Sequence, residues 1–391
     1  MRAVRIIRRL LRYLAFCVLA LVALLALRGI YRTAYRAAVM ARLNPGHEIV
    51  IGGKTLNQLQ GDMHFYFGSL HSHTTASDGF GTAPQMLFLA RHVMGCDFYA
   101  ITDHAALLSD SEWKETGRQT ARATEDGRFV ALRGFEAGRE EPHIGVFQTE
   151  TFTRLEPVRE REALLRWVVS HRGLAELNHP APQHVNAVIP GARGMEELAV
   201  IETGNKESGN AGNRYLPQYQ RALDLGALVA PADNHDAHSW WEEVFNPHRT
   251  VIIAAALTPP ALLEAVRARR IYSSDDPNQK IVFKLGDAWM GSLVTLAEPG
   301  PATFSVYVED DEPIVNIDLV SKSGRVIARK AAGARLVAWE PTVEVSGETF
   351  FYLKITARDL LLDEVFRRYQ VTVTAPIWIS VGAHERTAPP P

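Results

Sequence analysis

Cysteine is almost absent from this chain of 391 residues, which has Cys17 and Cys96 and no others. Two thiols, one in an apolar N-terminal run and one in Met94-Gly95-Cys96-Asp97-Phe98, build neither a disulfide framework nor a thiolate metal site. Leu14-Ala15-Phe16-Cys17 looks superficially like a lipidation signal, but Phe is too large before the cysteine, and lipidation is discounted. Also missing are a Gly-rich phosphate loop, a Ser-centred elbow and a dinucleotide fingerprint, which removes the commonest nucleotide-binding and serine-hydrolase classes. No internal repeat is present. With 47% hydrophobic and 22% charged residues, neither disorder nor a multispanning membrane protein is indicated. The length has room for a large catalytic domain and one smaller domain.

Basic charge is concentrated at one end. Nine arginines and no acid precede residue 43, leaving 33 basic against 44 acidic side chains, about -11, behind the overall -2. A body that acidic lacks the footprint that long nucleic acids need, although bound metal ions could reverse the sign locally. Arg2, Arg5, Arg8, Arg9 and Arg12 precede an apolar run from Tyr13 to Leu27. That run rises about 22 Å as a helix and reaches about 22 residues if Arg12 and Arg28 snorkel to the interfaces. No small-x-small cleavage site follows closely, so residues 1–36 are expected to be an uncleaved signal anchor. The denser N-terminal arginines keep that end cytoplasmic, which makes a single-pass inner-membrane protein with a periplasmic body; the alternative is secretion after cleavage. Residues 37–60 read as a connector, with turn signals at Asn44-Pro45-Gly46 and Gly52-Gly53.

The body is organised around Leu70-His71-Ser72-His73-Thr74-Thr75-Ala76-Ser77-Asp78-Gly79, which follows the apolar run Phe65 to Leu70. His71 and His73, two apart, point to one face of an extended backbone, where two imidazoles can grip one ion. Asp78 returns a carboxylate at the turn and Gly79 relieves the backbone there. Four more apolar runs end in metal-type residues. Thr102-Asp103-His104 ends Phe98 to Ile101, and Gly134-Phe135-Glu136 ends Val130 to Leu132. Asn178-His179-Pro180 ends Leu174 to Leu177, and Asp233-Asn234-His235 ends Ala227 to Val229. Ligands collected at the carboxyl ends of strands are how a β/α barrel builds its active face. Strand-like and helical runs alternate between these motifs, which argues for parallel strands with crossover helices. One such helix is capped by Thr82, with Pro84 in its first turn. After Asp276-Pro277 short strand candidates separated by turns predict a small sandwich, read as a packing or recognition module.

The ordered motifs from Gly61 to Pro277 resemble those of the PHP domain, the polymerase and histidinol phosphatase family of metal-dependent hydrolases. The segment Arg269 to Asn278 is also similar to the one that closes the catalytic domain in the carbaryl-hydrolase-like branch. The resemblance implies a distorted (β/α)7-type barrel over residues 61–280, followed by the β-sandwich-like domain 281–391. Carried over residue by residue, it implies that His71, His73, Glu136 and Asp233 hold a first ion. Glu136 then bridges to a second ion held by His143 and His179, and Asp78, His104 and His235 hold a third. Pro142 stands where many members carry Gly, and Asp78 replaces a histidine found in some members. His238, in Asp236-Ala237-His238, competes with His235 but falls farther from the strand end.

Imidazole with carboxylate suits two to three divalent transition-metal ions, zinc or manganese with iron as a further option, rather than calcium. Glu202 is expected to orient a ligating histidine, not to ligate. Arg133 and Lys206 are candidates for a phosphate clamp, and Trp240 and Trp241 for a pocket wall or core. The expected activity is hydrolysis of a small-molecule substrate by a metal-activated hydroxide, with a phosphoester first and an aryl ester or carbamate second. A non-catalytic metal-binding module is the alternative of another class. The oligomeric state stays open.

Overall fold

A computed structural model describes Tyr13, Phe16, Cys17, Ala20 and residues 50–192, 195–205, 214–240, 242, 246–358 and 369–382. The N-terminal apolar segment expected as an anchor lies, as a segment, outside these residues, as do Lys206 and Trp241. Among the described residues no helix is long and apolar enough to cross a membrane. Met1–Gly46 and His47–Pro391 are two units, and the second holds all the described strands.

Its first strands, β1 (Val50–Ile51) and β2 (Lys54–Thr55), form a short hairpin that leads into the helix Leu56–Gln60. Ile51, Leu56 and Leu59 are buried, so this part of the expected connector belongs to the core. Seven strands then line up in chain order: β3 (His64–Ser69), β4 (Phe98–Ile101), β5 (Val130–Ala137), β6 (Ile144–Phe147), β7 (Leu174–Leu177), β8 (Leu198–Gly204) and β9 (Ala230–Asp233). From β4 to β9 nearly every strand residue is buried, as expected of strands covered on both faces.

The expectation of parallel strands throughout is corrected at β6. Strands β3 to β5 are mutually parallel, as are β7 to β9, but β6 runs antiparallel to both β5 and β7. Residues 138–143 connect β5 to β6, too short a link for the dozen or more residues that a parallel crossover needs. Elsewhere helices do intervene, among them Ala83–His92, Asp110–Ala123 and Leu216–Asp224. The first of these is opened by Thr82, whose N–H donates to Gln85 Oε1 at 2.9 Å, with Pro84 in its first turn.

β10 (Arg249–Ala254) pairs antiparallel with β3 and with β11 (Ile271–Ser274). Among the described residues no ladder joins β9 to β10. The Thr250 hydroxyl serves there instead, accepting from Asp233 N–H at 3.0 Å and lying 3.2 Å from Asp233 O.

The chain continues as β12 (Lys280–Leu285), β13 (Ala288–Trp289), β14 (Leu293–Leu296), β15 (Gly300–Val320), β16 (Val326–Trp339), β17 (Thr342–Val345), β18 (Thr349–Arg358), β19 (Tyr369–Thr374) and β20 (Ile377–Val381). The long β15 pairs with β12, β16, β17 and β18. Pairing of β11 with β19 (Tyr272↔Thr374) carries the sheet across residue 280. Ile252 and Ile271 share one apolar cluster with Phe283, Phe304 and Leu353, so the core is continuous there too.

Candidate metal centre

Glu136, fully buried on β5, is the hub. Its Oε1 lies 3.2 Å from His71 Nε2, 3.4 Å from His143 Nδ1 and 3.3 Å from His179 Nε2. Its Oε2 lies 3.5 Å from His73 Nε2 and 3.0 Å from His104 Nδ1. Asn178 Nδ2 donates to Oε1 at 2.7 Å. Five imidazoles therefore come from the ends of β3, β4, β6 and β7. His143 precedes its strand, yet the reversal of β6 turns that start toward the end where the parallel strands stop. Gly138 makes the tight link possible: at φ 122° a Cβ would stand 2.8 Å from the His143 ring.

Two expected ligands lie elsewhere. Asp233 is still inside β9, and its Oδ2 is 2.9 Å from His248 Nδ1. His235 Nε2 lies 2.8 Å from the His248 carbonyl. The strand starts and ends about three residues later than the apolar run 227–229 suggests, so the ligating loop is displaced with it. Ala237 forms a parallel bridge with Ser72, which places Asp236 and His238 beside His71 and His73. Asp236 Oδ1 lies 3.5 Å from His71 Nε2 and 3.3 Å from His73 Nε2. His238 stacks on His73 with ring centroids 4.2 Å apart, and its Nε2 is 3.5 Å from Asp78 Oδ1. Asp78 also approaches His104 Nε2 at 3.7 Å. The Asp-x-His spacing of 236 and 238, matching that of 71 and 73, was the available signal.

The loop from His73 to Asp78 is held from beneath. Asp103 accepts from Thr74 N–H at 2.7 Å, Thr74 Oγ1 at 2.8 Å and Ser77 Oγ at 2.6 Å. Gly79 serves through close approach and not through a left-handed backbone, since a Cβ there would stand 2.8 Å from the His73 carbonyl.

Behind the ligands, Glu202 is fully buried, with Oε1 2.9 Å from His71 Nδ1 and Oε2 accepting from His179 N–H at 2.6 Å. A carboxylate on Nδ1 leaves Nε2 of His71 free to face Glu136 and Asp236. Glu141 does the same for His179, its Oε1 lying 3.5 Å from Nδ1, and its Oε2 is 3.6 Å from His184 Nδ1. Sequence reasoning gave no role to Glu141, which stands in no ligand-like motif, nor to Asp103 and Asn178, which stand next to His104 and His179 in theirs. Arg133 does not serve as a clamp: it lies over the Trp113 ring at 4.0 Å and donates to the carbonyls of Trp113 and Thr149. Trp240 is exposed.

Electrostatics reflect this crowding. Burial pushes Glu136 up, but His71 and the close imidazoles of His104, His143 and His179 hold its carboxyl well below the usual range. Burial disfavours charge on His179, yet Glu136 and Glu141 outweigh it and push it up to about 10. Burial lowers His73 despite Asp236 beside it.

The residues fit a metal cluster on two grounds. His143 Nδ1 and Nε2 and His73 Nδ1 are buried without a hydrogen-bond partner, a costly state for polar atoms unless something else satisfies them. The ligand atoms also fall into overlapping groups within 4.8 Å: His71, His73 and Asp236; His71, Glu136 and His179; His104, Glu136 and His143; and His73, Asp78, His104 and His238. Beside them is a cavity of about 210 Å³ lined by His104, Glu141, His143, His179 and Tyr215 among others. A larger one of about 400 Å³, near His64, Tyr66 and Lys280, has none of these ligands in its wall.

No family model matches the chain. Uncharacterized proteins of Chlamydia trachomatis and Chlamydia muridarum are each 23% identical over 294 residues, 66% of this chain and 47% of the relative. The chain thus spans about half the length of the curated relatives it matches. Among solved structures, a two-domain protein of Bacteroides vulgatus, described as containing a predicted PHP-like metal-dependent phosphoesterase, is 14% identical. Its TM-score is 0.44, with 75% of this chain and 91% of that one covered. None of these likenesses supports the carbaryl-hydrolase-like branch. The described residues contain buried His, Asp and Glu groups able to bind metal, in a mixed α/β body whose strand-end motifs resemble those of PHP-domain hydrolases.

Proposed function

We propose that the chain is a PHP-type metal-dependent hydrolase, with a phosphoester of a small molecule as its substrate. The observation that carries this reading is the convergence of five imidazoles on Glu136, each within 3.5 Å. His71, His73, Glu136 and Asp236 would hold one ion, Glu136, His143 and His179 a second, and Asp78, His104 and His238 a third. Nitrogen and carboxylate donors in this mixture suit zinc or manganese. Such ions, when bound, lower the pKa of a coordinated water and offset charge that develops on a substrate oxygen.

The chain's own residues supply the frame. Glu202 and Glu141 fix the rings of His71 and His179, Asp103 fixes the loop that carries His73 and Asp78, and Tyr215 lines the cavity where a substrate would enter. The test compares aryl phosphates, aryl acetates and N-methylcarbamates with the same metal-loaded protein. Phosphate turnover is expected. Carbamate or acetate turnover alone would replace the substrate class, and no turnover with a filled centre would favour a metal-binding module.

The arginine-rich N-terminus and the apolar run after it support a body tethered to the inner membrane on its periplasmic side. Protease added to intact spheroplasts should then digest the body, and survival until lysis would reverse the orientation.

A further inference from the structure

A second group of metal-type side chains meets away from Glu136. Asp233 ends β9, His248 precedes β10 and Asp275 follows β11. Because β10 runs antiparallel to β11, its start lies beside the end of that strand. Relative exposures are 0%, 3% and 3% for Asp233, His248 and Asp275. His248 Nδ1 lies 2.9 Å from Asp233 Oδ2 and 3.3 Å from Asp275 Oδ1. The three ligand atoms lie within 4.8 Å of one another.

Two observations set this group apart from an ordinary ion pair. Asp275 Oδ2 accepts from Val371 N–H at 3.1 Å, but Asp275 Oδ1 and Asp233 Oδ1 are buried with no hydrogen-bond partner. An unsatisfied carboxylate oxygen at zero exposure is expensive. Two acids also share one imidazole. The guanidinium of nearby Arg249 is directed instead to the carbonyls of Asn246, His248 and Met94. A divalent cation with a neutral imidazole balances both acids when they are ionised.

We propose that Asp233, His248 and Asp275 form a separate site for one divalent transition-metal ion, zinc in the first instance, which pins β9, β10 and β11 together. One nitrogen and two oxygen donors are within zinc's range. Ligands about 2.0 Å from a tetrahedral ion stand about 3.3 Å apart, so the 2.9 Å pair would open by a few tenths of an ångström while the 3.3 Å pair already fits. This site does not rest on the hydrolase reading.

The experiment is diffraction at the zinc edge from crystals of the full chain grown with excess zinc, paired with metal content of Asp275→Asn. Asparagine keeps the acceptor for Val371 N–H and removes the anionic ligand. The expected result is an anomalous peak bounded by the three side chains, and one zinc fewer per chain in the variant with the Glu136 centre still filled. A filled Glu136 centre with no peak here, or an unchanged zinc count in folded Asp275→Asn, overturns the proposal. Should the variant not fold, diffraction from the wild-type protein decides alone. A peak here with the Glu136 centre empty would sink the hydrolase reading and leave this site standing.

Discussion

Ser72 and Ala237 face each other across a parallel β-bridge, with His73 N–H donating to Ala237 O at 2.9 Å and Asp236 N–H to His71 O at 3.0 Å. Side chains alternate along extended segments, so this one pairing sets His71 and His73 against Asp236 and His238. The carboxylate and imidazole set beside the Glu136 cluster therefore come from residues past the end of β9, not from Asp233 and His235 near that end.

It follows that Asp236→Asn and His238→Ala should each remove metal from the centre and lower hydrolysis about 100-fold or more, since each deletes a direct ligand where even the loss of an outer partner costs 10–100-fold. Asp233→Asn and His235→Asn should leave the Glu136 centre filled. Metal content and turnover of the four purified variants decide between the two assignments, and a filled, active Asp236→Asn protein would sink this one.

Glu136→Gln should cost more than one ion. A neutral amide cannot balance the imidazoles that now surround a carboxylate held well below its usual range. The loss of two metal equivalents per chain is expected, measured by elemental analysis. Loss of one alone would mean that Glu136 does not bridge.

Glu202→Gln tests orientation, not ligation. It keeps the size and an oxygen for His179 N–H but weakens the acceptor at His71 Nδ1. Metal affinity should fall about 10–100-fold, with kcat largely restored at saturating metal. A kcat that stays low when the centre is full would give Glu202 a more direct part.

Much of this cluster was legible because, with cysteine almost absent, the side chains able to hold a metal are His, Asp and Glu, and here they gather where strands stop. His71, His73, Glu136 and His179 needed only that rule, together with the family likeness for the order of their motifs. Asp236 and His238 were not assigned because Pro231 interrupts the apolar pattern of β9, which made the strand seem to finish near residue 229. Reversal of β6 was hidden for another reason: a short apolar run has no direction, and the length of the 138–143 link is the one clue. Contacts such as Asp103 with Ser77, or Arg133 on Trp113, depend on tertiary packing that composition does not encode.

Gly79→Ala should damage the centre without touching a ligand. The new methyl would meet the His73 carbonyl carbon and oxygen at 2.8 Å and Thr74 N at 2.9 Å, a backbone peptide that has little freedom to yield. Overpacking of this kind costs about 1–3 kcal/mol. Lower thermal stability and weaker metal binding are expected together. A variant with unchanged metal affinity would show that the loop can shift freely.

Metal-free protein should lose stability as pH rises. Burial opposes charge on His179 and His248, but their carboxylate partners push each up to about 10, above the roughly 6.5 of an unfolded histidine. A group raised on folding contributes stability that is complete below its unfolded pKa and is lost as pH climbs through the folded one. For both histidines that window runs from about 6.5 to about 10. Asp233 is raised by its burial and carries the same sign, from about pH 4 upward. Glu136 has the opposite sign: its lowered pKa contributes stability above the unfolded value that is lost on acidification. The melting temperature in chelator should therefore be higher at about pH 6 than at about pH 9. Zinc or manganese should erase this fall, because the ions replace protons on the same side chains and bind more tightly as those protons leave. Thermal scans at both pH values, with chelator and with excess metal, provide the check. A chelated protein equally stable at the two pH values would mean that these histidines are not held in their charged form by the carboxylates around them.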